Sequence, residues 1–432
     1  MAYGQSLKEL LITAEQNYPL LKAKRYESTA EAEAVSYAKS AVIPSLDAGY
    51  QVNYATYNNI AGMASAQHFV PISGPPSSSN SSDAVIGTAG GLLLNWDVFT
   101  FGQRASRIQS AKASSEANLA DEQNEIFRHR VRVANAYLDL MITYELIKVN
   151  EKNLERAEEN LRIVRSLSSS GLRPGVDTAL FQSELSRARI DLINYENLRE
   201  RLALEFAEFL GDNSFSSIPS DSSFFERLPT LPGSTTEVLH PALGMSGAKI
   251  KAVESERTSL KRSLLPKLSL WGNIYGRGSG ITYDGDIHST DGLSFSRYNY
   301  GAGLVLNVPL LQFARTRYQI RSQASLLKAE EERLNATKLE LAKQARLADV
   351  TFANAIKIAN ETPAFRSASD YAYRGLLSRY NSGLVSYTEV VQAQYALVKA
   401  ESDLARAHIE AWKALLFKSA VRGNLDLFLN QL

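Results

Sequence analysis

Leu46-Asp47-Ala48-Gly49-Tyr50-Gln51-Val52-Asn53-Tyr54 alternates apolar residues with polar or small ones, a period of two that fits a strand with one greasy face. Tyr298, Tyr300, Ala302, Leu304, Leu306, Val308 and Leu310 repeat the alternation against Asn299, Gly301, Gly303, Asn307 and Pro309. Residues 92–101 and 268–275 are a less regular pair. Strands of about ten residues, with Tyr50, Tyr54, Trp96, Trp271 and Tyr275 expected as interfacial aromatics, suit an outer-membrane barrel. The competing reading is a soluble sheet packed on helices; alternation, in place of strands apolar throughout, weighs against it. In hydrocarbon every backbone donor and acceptor needs a protein partner, so a lipid-exposed sheet must close on itself. Four strands cannot close, since natural barrels begin at about eight, and the chain must therefore lend an arc to a barrel shared with identical copies.

The rest of the chain has the helical period. Residues 103–170 contain no Gly or Pro and are rich in Ala, Glu, Leu and Arg, with apolar residues recurring at three and four. At 1.5 Å per residue such a helix is roughly 100 Å long, which places it in a coiled coil or helical array. Residues 315–382 match it in length but contain Pro363 and Gly375, where a kink is expected. Shorter helices are expected over 20–43, 176–210 and 385–422, with a weaker one over 242–265.

The chain is duplicated. Pro19, Leu21, Pro44 and Leu46 recur 222 positions later as Pro241, Leu243, Pro266 and Leu268. Further on the offset becomes 212: Gly91-Leu92 matches Gly303-Leu304, Phe101 matches Phe313, Gly171-Leu172 matches Gly383-Leu384, and Gly211 matches Gly423. The ten-residue change falls between Tyr54 and Thr88, so the first copy carries the longer loop. The expected organisation is a first repeat over 1–222 and a second over 223–432. Strands and external loops occupy 45–102 and 267–314, helical segments 103–211 and 315–423, and equatorial segments 212–240 and 424–432. The loops over 62–83 and 276–292, polar and Gly- or Asp-rich, both belong in water.

Composition closes off several classes. In 432 residues, 47 Lys and Arg face 46 Asp and Glu, so no overall field draws the chain to nucleic acid. No run approaches the ~18 apolar residues of a membrane-spanning helix. The absence of cysteine removes disulfide frameworks and thiol nucleophiles. Residues 1–12 lack the basic stretch, apolar core and small-residue cleavage site of a secretory leader, so the chain reads as cytosolic or as already processed.

In the order of its elements, the proline before each first strand (Pro44, Pro266), the strand-to-helix passages of residues 94–102 and 306–310, and the turns Ser170-Gly171-Leu172 and Tyr380-Asn381-Ser382-Gly383-Leu384, the chain resembles the TolC-like outer-membrane efflux and secretion factors. The similarity covers nearly its whole length. The resemblance implies an α+β fold in which a long α-helical coiled-coil tube joins four β-strands per chain, contributed to a trimeric transmembrane barrel. It implies a passive exit duct of a tripartite efflux pump, located in the cell outer membrane and extending into the periplasm. The implied partners are two sister subunits, a periplasmic adaptor, an inner-membrane transporter and outer-membrane lipid, with no nucleic acid and no cofactor. The duct of a type I protein secretion system is the nearest alternative, and a non-conducting coiled-coil scaffold or receptor the next.

By the same resemblance, the gate falls at the helix turns. Tyr380 matches a constriction tyrosine, Asp177 a gate aspartate of the first repeat, and Glu389 an acidic residue lining the aperture. Where the family's type member has a latch arginine this chain has Val385, and where it has a second acidic ring residue this chain has Gln392. Gly171, Leu172, Gly383 and Leu384 are the expected adaptor-docking tip. Each of these residues also has a plain reading: Gly171 and Gly383 as left-handed helix C-caps with the next Leu folded onto the last turn, Asp177 as an N-cap, and Ser386-Tyr387-Thr388-Glu389 as a capping box.

His68, His129, His240, His288 and His408 are scattered without metal-binding spacing and read as ordinary surface or loop histidines, so no metal site and no catalytic residue is expected. Gly276-Arg277-Gly278-Ser279-Gly280 lacks the ending of a phosphate loop and reads as a loop between strands. Asp284, Asp286 and Asp291 lack EF-hand spacing and read as a solvated loop. Arg128, Arg130 and Arg132 read as interhelical pairing.

Overall fold

A computed structural model of the chain describes residues 6–56, 58, 79–212, 221–230, 238–282 and 284–432. His68, most of the loop over 62–83 and much of the equatorial segment 212–240 lie outside the described residues. By compactness the chain divides into residues 1–30, 116–250 and 328–432 on one side and 31–115 and 251–327 on the other, the cuts falling within helices.

The second of these units holds the sheet. Strands β1 (Ser45–Thr56), β2 (Ala84–Phe99), β3 (Lys267–Ser279) and β4 (Arg297–Asn307) pair antiparallel in the order β1-β2-β3-β4. β1 and β4 are edges, so the sheet does not close within one chain. Register assigns the faces. Tyr50, Gly90, Gly276 and Tyr298 form one rung, and the face they share carries Leu46, Leu92, Ile274, Leu304 and Leu306. The opposite face carries Asp47, Gln51, Asn95, Asn273 and Asn299. Two of the five expected interfacial aromatics are thereby corrected: Trp271 and Tyr275 pair with Asn95 and Gly91 and stand on the polar face. Trp271 packs there against Gly301 and Gly303, whose missing side chains leave room for its indole. The stretch at residues 276–279 is also corrected, from loop to the end of β3.

Below the sheet the chain turns sharply into helix. Phe101 (φ 48°) and Gly102 (φ 93°) both take positive φ, and the Phe99 and Phe101 rings meet edge to face at 4.7 Å. Trp96 Nε1 donates to the Val42 carbonyl (2.8 Å), and Gln103 Nε2 donates to the carbonyls of Leu265 and Pro266. These bonds tie the β2–α3 junction to the α2–β1 and α6–β3 junctions within this unit.

The helices are α1 (Leu7–Asn17), α2 (Pro19–Ser40), α3 (Gln103–Ser169), α4 (Gly175–Leu210), α5 (Ser223–Glu226), α6 (Pro241–Arg262), α7 (Gln312–Asn381), α8 (Tyr387–Val421) and α9 (Asp426–Leu429), with a 3₁₀ turn at Ser289–Leu293. The predicted rod is present: α3 is 67 residues long and α7 is 70. α7 continues through Pro363, and the carbonyl that proline cannot satisfy, that of Ala359, accepts instead from the buried Thr362 hydroxyl (3.1 Å). Ser6 and Glu9 box the start of α1, whose Leu7, Leu10, Leu11 and Ala14 are buried.

Among the described residues the helical unit has two apolar clusters. One gathers α1, α5 and α9 around Val133, Leu138 and Met141 of α3, Phe206 of α4, Phe352 of α7 and Trp412 of α8. His129 belongs to this region and corrects the surface reading. Its ring is fully buried, stacked on Tyr18 at 4.0 Å and bonded through Nε2 to the Phe209 carbonyl (3.0 Å). The arginine cluster beside it is only partly interhelical: Arg130 reaches Glu15 of α1, whereas Arg128 and Arg132 pair with Glu125 of their own helix. The second cluster lies at the turns joining α3 to α4 and α7 to α8.

Candidate functional site

Each of those turns is built the same way. After α3, Gly171 (φ 72°) donates to the Ser168 carbonyl (3.0 Å) and Leu172 to the Leu167 carbonyl (2.9 Å). After α7, Gly383 (φ 82°) donates to Tyr380 (2.9 Å) and Leu384 to Arg379 (2.9 Å). This pair of bonds is the Schellman closure, and it needs glycine because an L side chain resists positive φ. The leucines do not fold onto the last turn as a cap alone would have them: Leu172 is 70% exposed and Leu384 68%. Capping therefore accounts for the glycines and leaves the leucines displayed.

Between the turns lies a small cluster. The Tyr380 ring is fully buried, tilted against Phe181 with centroids 5.7 Å apart, in company with Leu161, Val164, Leu185 and Val390. Its hydroxyl donates to Asp177 Oδ2 at 2.7 Å. The Arg173 guanidinium covers the ring at 4.0 Å from its centroid and donates to the carbonyls of Tyr380 and Val385. Burial, and then the Asp177 carboxylate, push the Tyr380 phenol well above its ordinary range, so at neutral pH it stays a donor.

Two further tyrosines of α8 reach the first hairpin. Tyr387 meets Phe181 edge to face at 4.8 Å and donates to Glu184 (3.3 Å) and the Leu180 carbonyl (3.2 Å). Tyr395 donates to the other Glu184 oxygen, while Arg187 covers its ring at 5.1 Å and donates to its hydroxyl (3.2 Å). Burial and Glu184 together push the Tyr395 phenol up to about 12. Deeper in, Asn160 donates to the Tyr373 hydroxyl (2.9 Å) and to Gln394 (3.1 Å), and Gln394 donates to Asn153 (2.9 Å).

Asp177 and Tyr380 are thus brought together, and Glu389 is not part of that contact. Glu389 is exposed, and its Oε2 accepts from the Ser386 amide (2.7 Å) and hydroxyl (2.9 Å). Those bonds hold its carboxyl below the usual glutamate range. The capping box expected at Ser386 is present, whereas Asp177 is not an N-cap: Pro174 holds that position and Asp177 sits three residues inside. Sequence reasoning missed Arg173, Glu184, Tyr387 and Tyr395. One signal was available for the first, because Arg173 stands 212 positions before Val385, in the register that relates Asp177 to Glu389. Among the described residues no group of His, Asp or Glu could hold a metal ion.

The family profile described as outer membrane efflux protein matches residues 10–212 and 234–415. The chain is 24% identical over 350 residues to the pyoverdine export outer membrane protein OpmQ of Pseudomonas aeruginosa, spanning 76% of this chain and 69% of that one. It is 24% identical over 423 residues to the outer membrane efflux protein BepC of Brucella suis, spanning 93% and 83%. Among solved structures, the outer membrane protein VceC of Vibrio cholerae superposes with a TM-score of 0.78 at 15% identity, over 97% of this chain and 96% of that one.

Proposed function

The chain belongs to the outer membrane efflux protein family, and from that premise we propose that it is the passive exit duct of a tripartite pump, closed at the helix turns and opened when an adaptor docks there. An outer-membrane channel of this family is not an enzyme. The work of transport must come from elsewhere, which is the role of an inner-membrane transporter reached through a periplasmic adaptor. The unpaired edges β1 and β4 support a shared barrel, and with four strands per chain a trimer gives twelve. We read residues 1–222 and 223–432 as two repeats, each giving one hairpin of the tip.

The observation that carries the gate is the Tyr380–Asp177 bond under Arg173, because it fastens the α7–α8 hairpin to the α3–α4 hairpin where both turn. Asp177 and Tyr380 hold the aperture shut, and Glu389 contributes a threefold ring of carboxylates that attracts divalent cations. Gly171, Leu172, Gly383 and Leu384 form the docking tip, since apolar side chains exposed at a turn are a partner surface. Among relatives, OpmQ is named for export of pyoverdine, which favours export over a scaffold role for this chain.

Planar-bilayer recording tests the gate. Wild type should show small, cation-sensitive openings, and Tyr380→Phe or Asp177→Asn should enlarge them. An absence of current in every variant would refute a conduit, and unchanged openings in both variants would refute this gate. Leu172→Asp with Leu384→Asp should abolish pump function while the trimer survives in detergent; loss of the trimer would instead assign the leucines to folding.

A further inference from the structure

The connection between β3 and β4 does not hang free. The Gly280 amide donates to the Ile86 carbonyl of β2 (2.8 Å), His288 donates back to Gly280 (2.8 Å), and the Ser296 amide donates to Arg277 of β3 (3.0 Å). Its backbone lies directly on the strands. A Cβ at Gly278 would meet the Ser294 carbonyl at 1.8 Å, and one at Gly292 would meet the Ile86 carbonyl at 1.9 Å. Phe295 then reaches the rung of Tyr50, Gly90, Gly276 and Tyr298. A Cβ at Gly90 would stand 2.9 Å from its ring, and one at Gly276 3.0 Å. The ring meets Tyr50 at 6.0 Å and Tyr298 at 6.4 Å between centroids, both edge to face. A row of four positions thereby carries three aromatic rings, although its two central residues have no side chain.

The face on which this happens is the apolar one, which in an outer-membrane channel is the face turned to lipid. The rung lies five residues above Ser45, roughly 17 Å along the strand, near the upper part of an apolar band ~25 Å tall. Tyr54 and Tyr300 are exposed on the same face, and Leu293 and Ile287 are exposed in the connection. We infer that the β3–β4 connection is a membrane-interface element: Phe295, seated in the glycine slot of residues 90 and 276, completes an aromatic belt on the outer wall and anchors the connection in the lipid leaflet remote from the helices. The occupant of this surface is phospholipid at the boundary of headgroup and acyl chain, where aromatic rings partition. This places in lipid a segment whose Gly- and Asp-rich composition assigns it to water. It depends on the chain's being an outer-membrane channel and not on the gate.

Phe295→Trp tests it in phosphatidylcholine proteoliposomes, with wild type giving the background of Trp96, Trp271 and Trp412. The added emission should be lost to dibrominated phosphatidylcholine and spared by aqueous iodide. Quenching by iodide with indifference to bromolipid would overturn the inference and put the segment in water over the mouth. Adding Gly276→Ala should expel the ring from its slot and reduce the bromolipid quenching while the oligomer keeps its mass; unchanged quenching would overturn the slot. A second probe does not depend on the tryptophan. The chain has no cysteine, so a nitroxide on Leu293→Cys reports alone, and it should relax faster with oxygen than with a water-soluble nickel chelate. Faster relaxation with nickel would overturn the placement.

Discussion

The turn after α3 and the turn after α7 close with the same glycine conformation and the same two backbone bonds, 212 residues apart, and then use their side chains in opposite ways. At the first turn Arg173 and Asp177 reach out of their own hairpin to grip Tyr380. At the second, Val385 stands where the arginine would be, and Glu389, in the register of Asp177, bends back to cap its own helix at Ser386. One turn geometry is used twice, and the side chains make one hairpin the holder and the other the held. An acidic residue three positions into a helix accepts from the cap's own amide and hydroxyl when that cap is Ser, and is released for other partners when the cap is Pro, which has neither an amide N–H nor a hydroxyl to donate.

The comparison breaks first at Tyr380. Tyr380→Ala removes a buried ring together with the cross-hairpin bond, and should cost roughly 3–5 kcal/mol of local stability. Ser168→Ala, at the corresponding position of the first hairpin, should stay within about 0.5 kcal/mol. Amide hydrogen exchange over residues 376–395 reads both. Equal loss of protection in the two variants would mean that neither hairpin holds the other.

The next test removes one partner at a time. Asp177→Asn keeps the shape and weakens a charge-assisted bond, at an expected cost of about 1.5–3 kcal/mol. Arg173→Ala should cost less, roughly 0.5–2 kcal/mol, because the cation over the ring and its contacts to the Tyr380 and Val385 carbonyls lie at a part-exposed site and the Tyr380 hydroxyl stays bonded. A double-mutant cycle should show Arg173 and Asp177 coupled through Tyr380. Strict additivity would reduce the cluster to three unrelated contacts.

How much of this the residues disclose depends on whether a feature repeats along the chain. Periodicity exposes the alternating face of β1 and the long α3 because each shows its rule many times over. The glycines of the two turns are legible for a similar reason, since backbone geometry demands them at fixed places. Arg173 is not legible in that way. It acts on Tyr380, 207 residues distant, and no local pattern announces which arginine will find which ring. Trp271 and Phe295 escaped for a related reason: both fill the space of strand glycines, Trp271 through the β3–β4 register and Phe295 through the fold-back of the connection, and neither is a local property of the chain. α1 went unseen although Ser6 and Glu9 mark its start, because a helix of 11 residues offers too few turns to stand out.

Where the two turns agree, substitution should treat them alike. Gly171→Ala and Gly383→Ala each force an L residue to positive φ, at an expected cost of about 1–2 kcal/mol. Nothing stands within 4 Å of the Cβ that either change adds, so no steric term should separate them. Thermal melting of the two variants should differ by less than either differs from wild type. A clear inequality would locate a demand on one glycine beyond its dihedral, and would show the closures to be less alike than their hydrogen bonds.

The smallest effect belongs to Glu389, and it turns on pH. Its carboxyl is held below the usual range by the Ser386 amide and hydroxyl, a depressed folded value, so the bond is fully present above the unfolded value of about 4.3. It is lost only as pH falls through the lower folded value. If the same carboxylates ring the aperture, block of the current by divalent cations should survive acidification past the ordinary glutamate range and then disappear. Glu389→Gln should raise the blocking concentration at neutral pH and abolish the acid step, while leaving the Tyr380 protection untouched. A variant with unchanged block would confine Glu389 to capping; a variant that loosened Tyr380 would show that the held hairpin braces the holder, and the division of labour between the two turns would have to be redrawn.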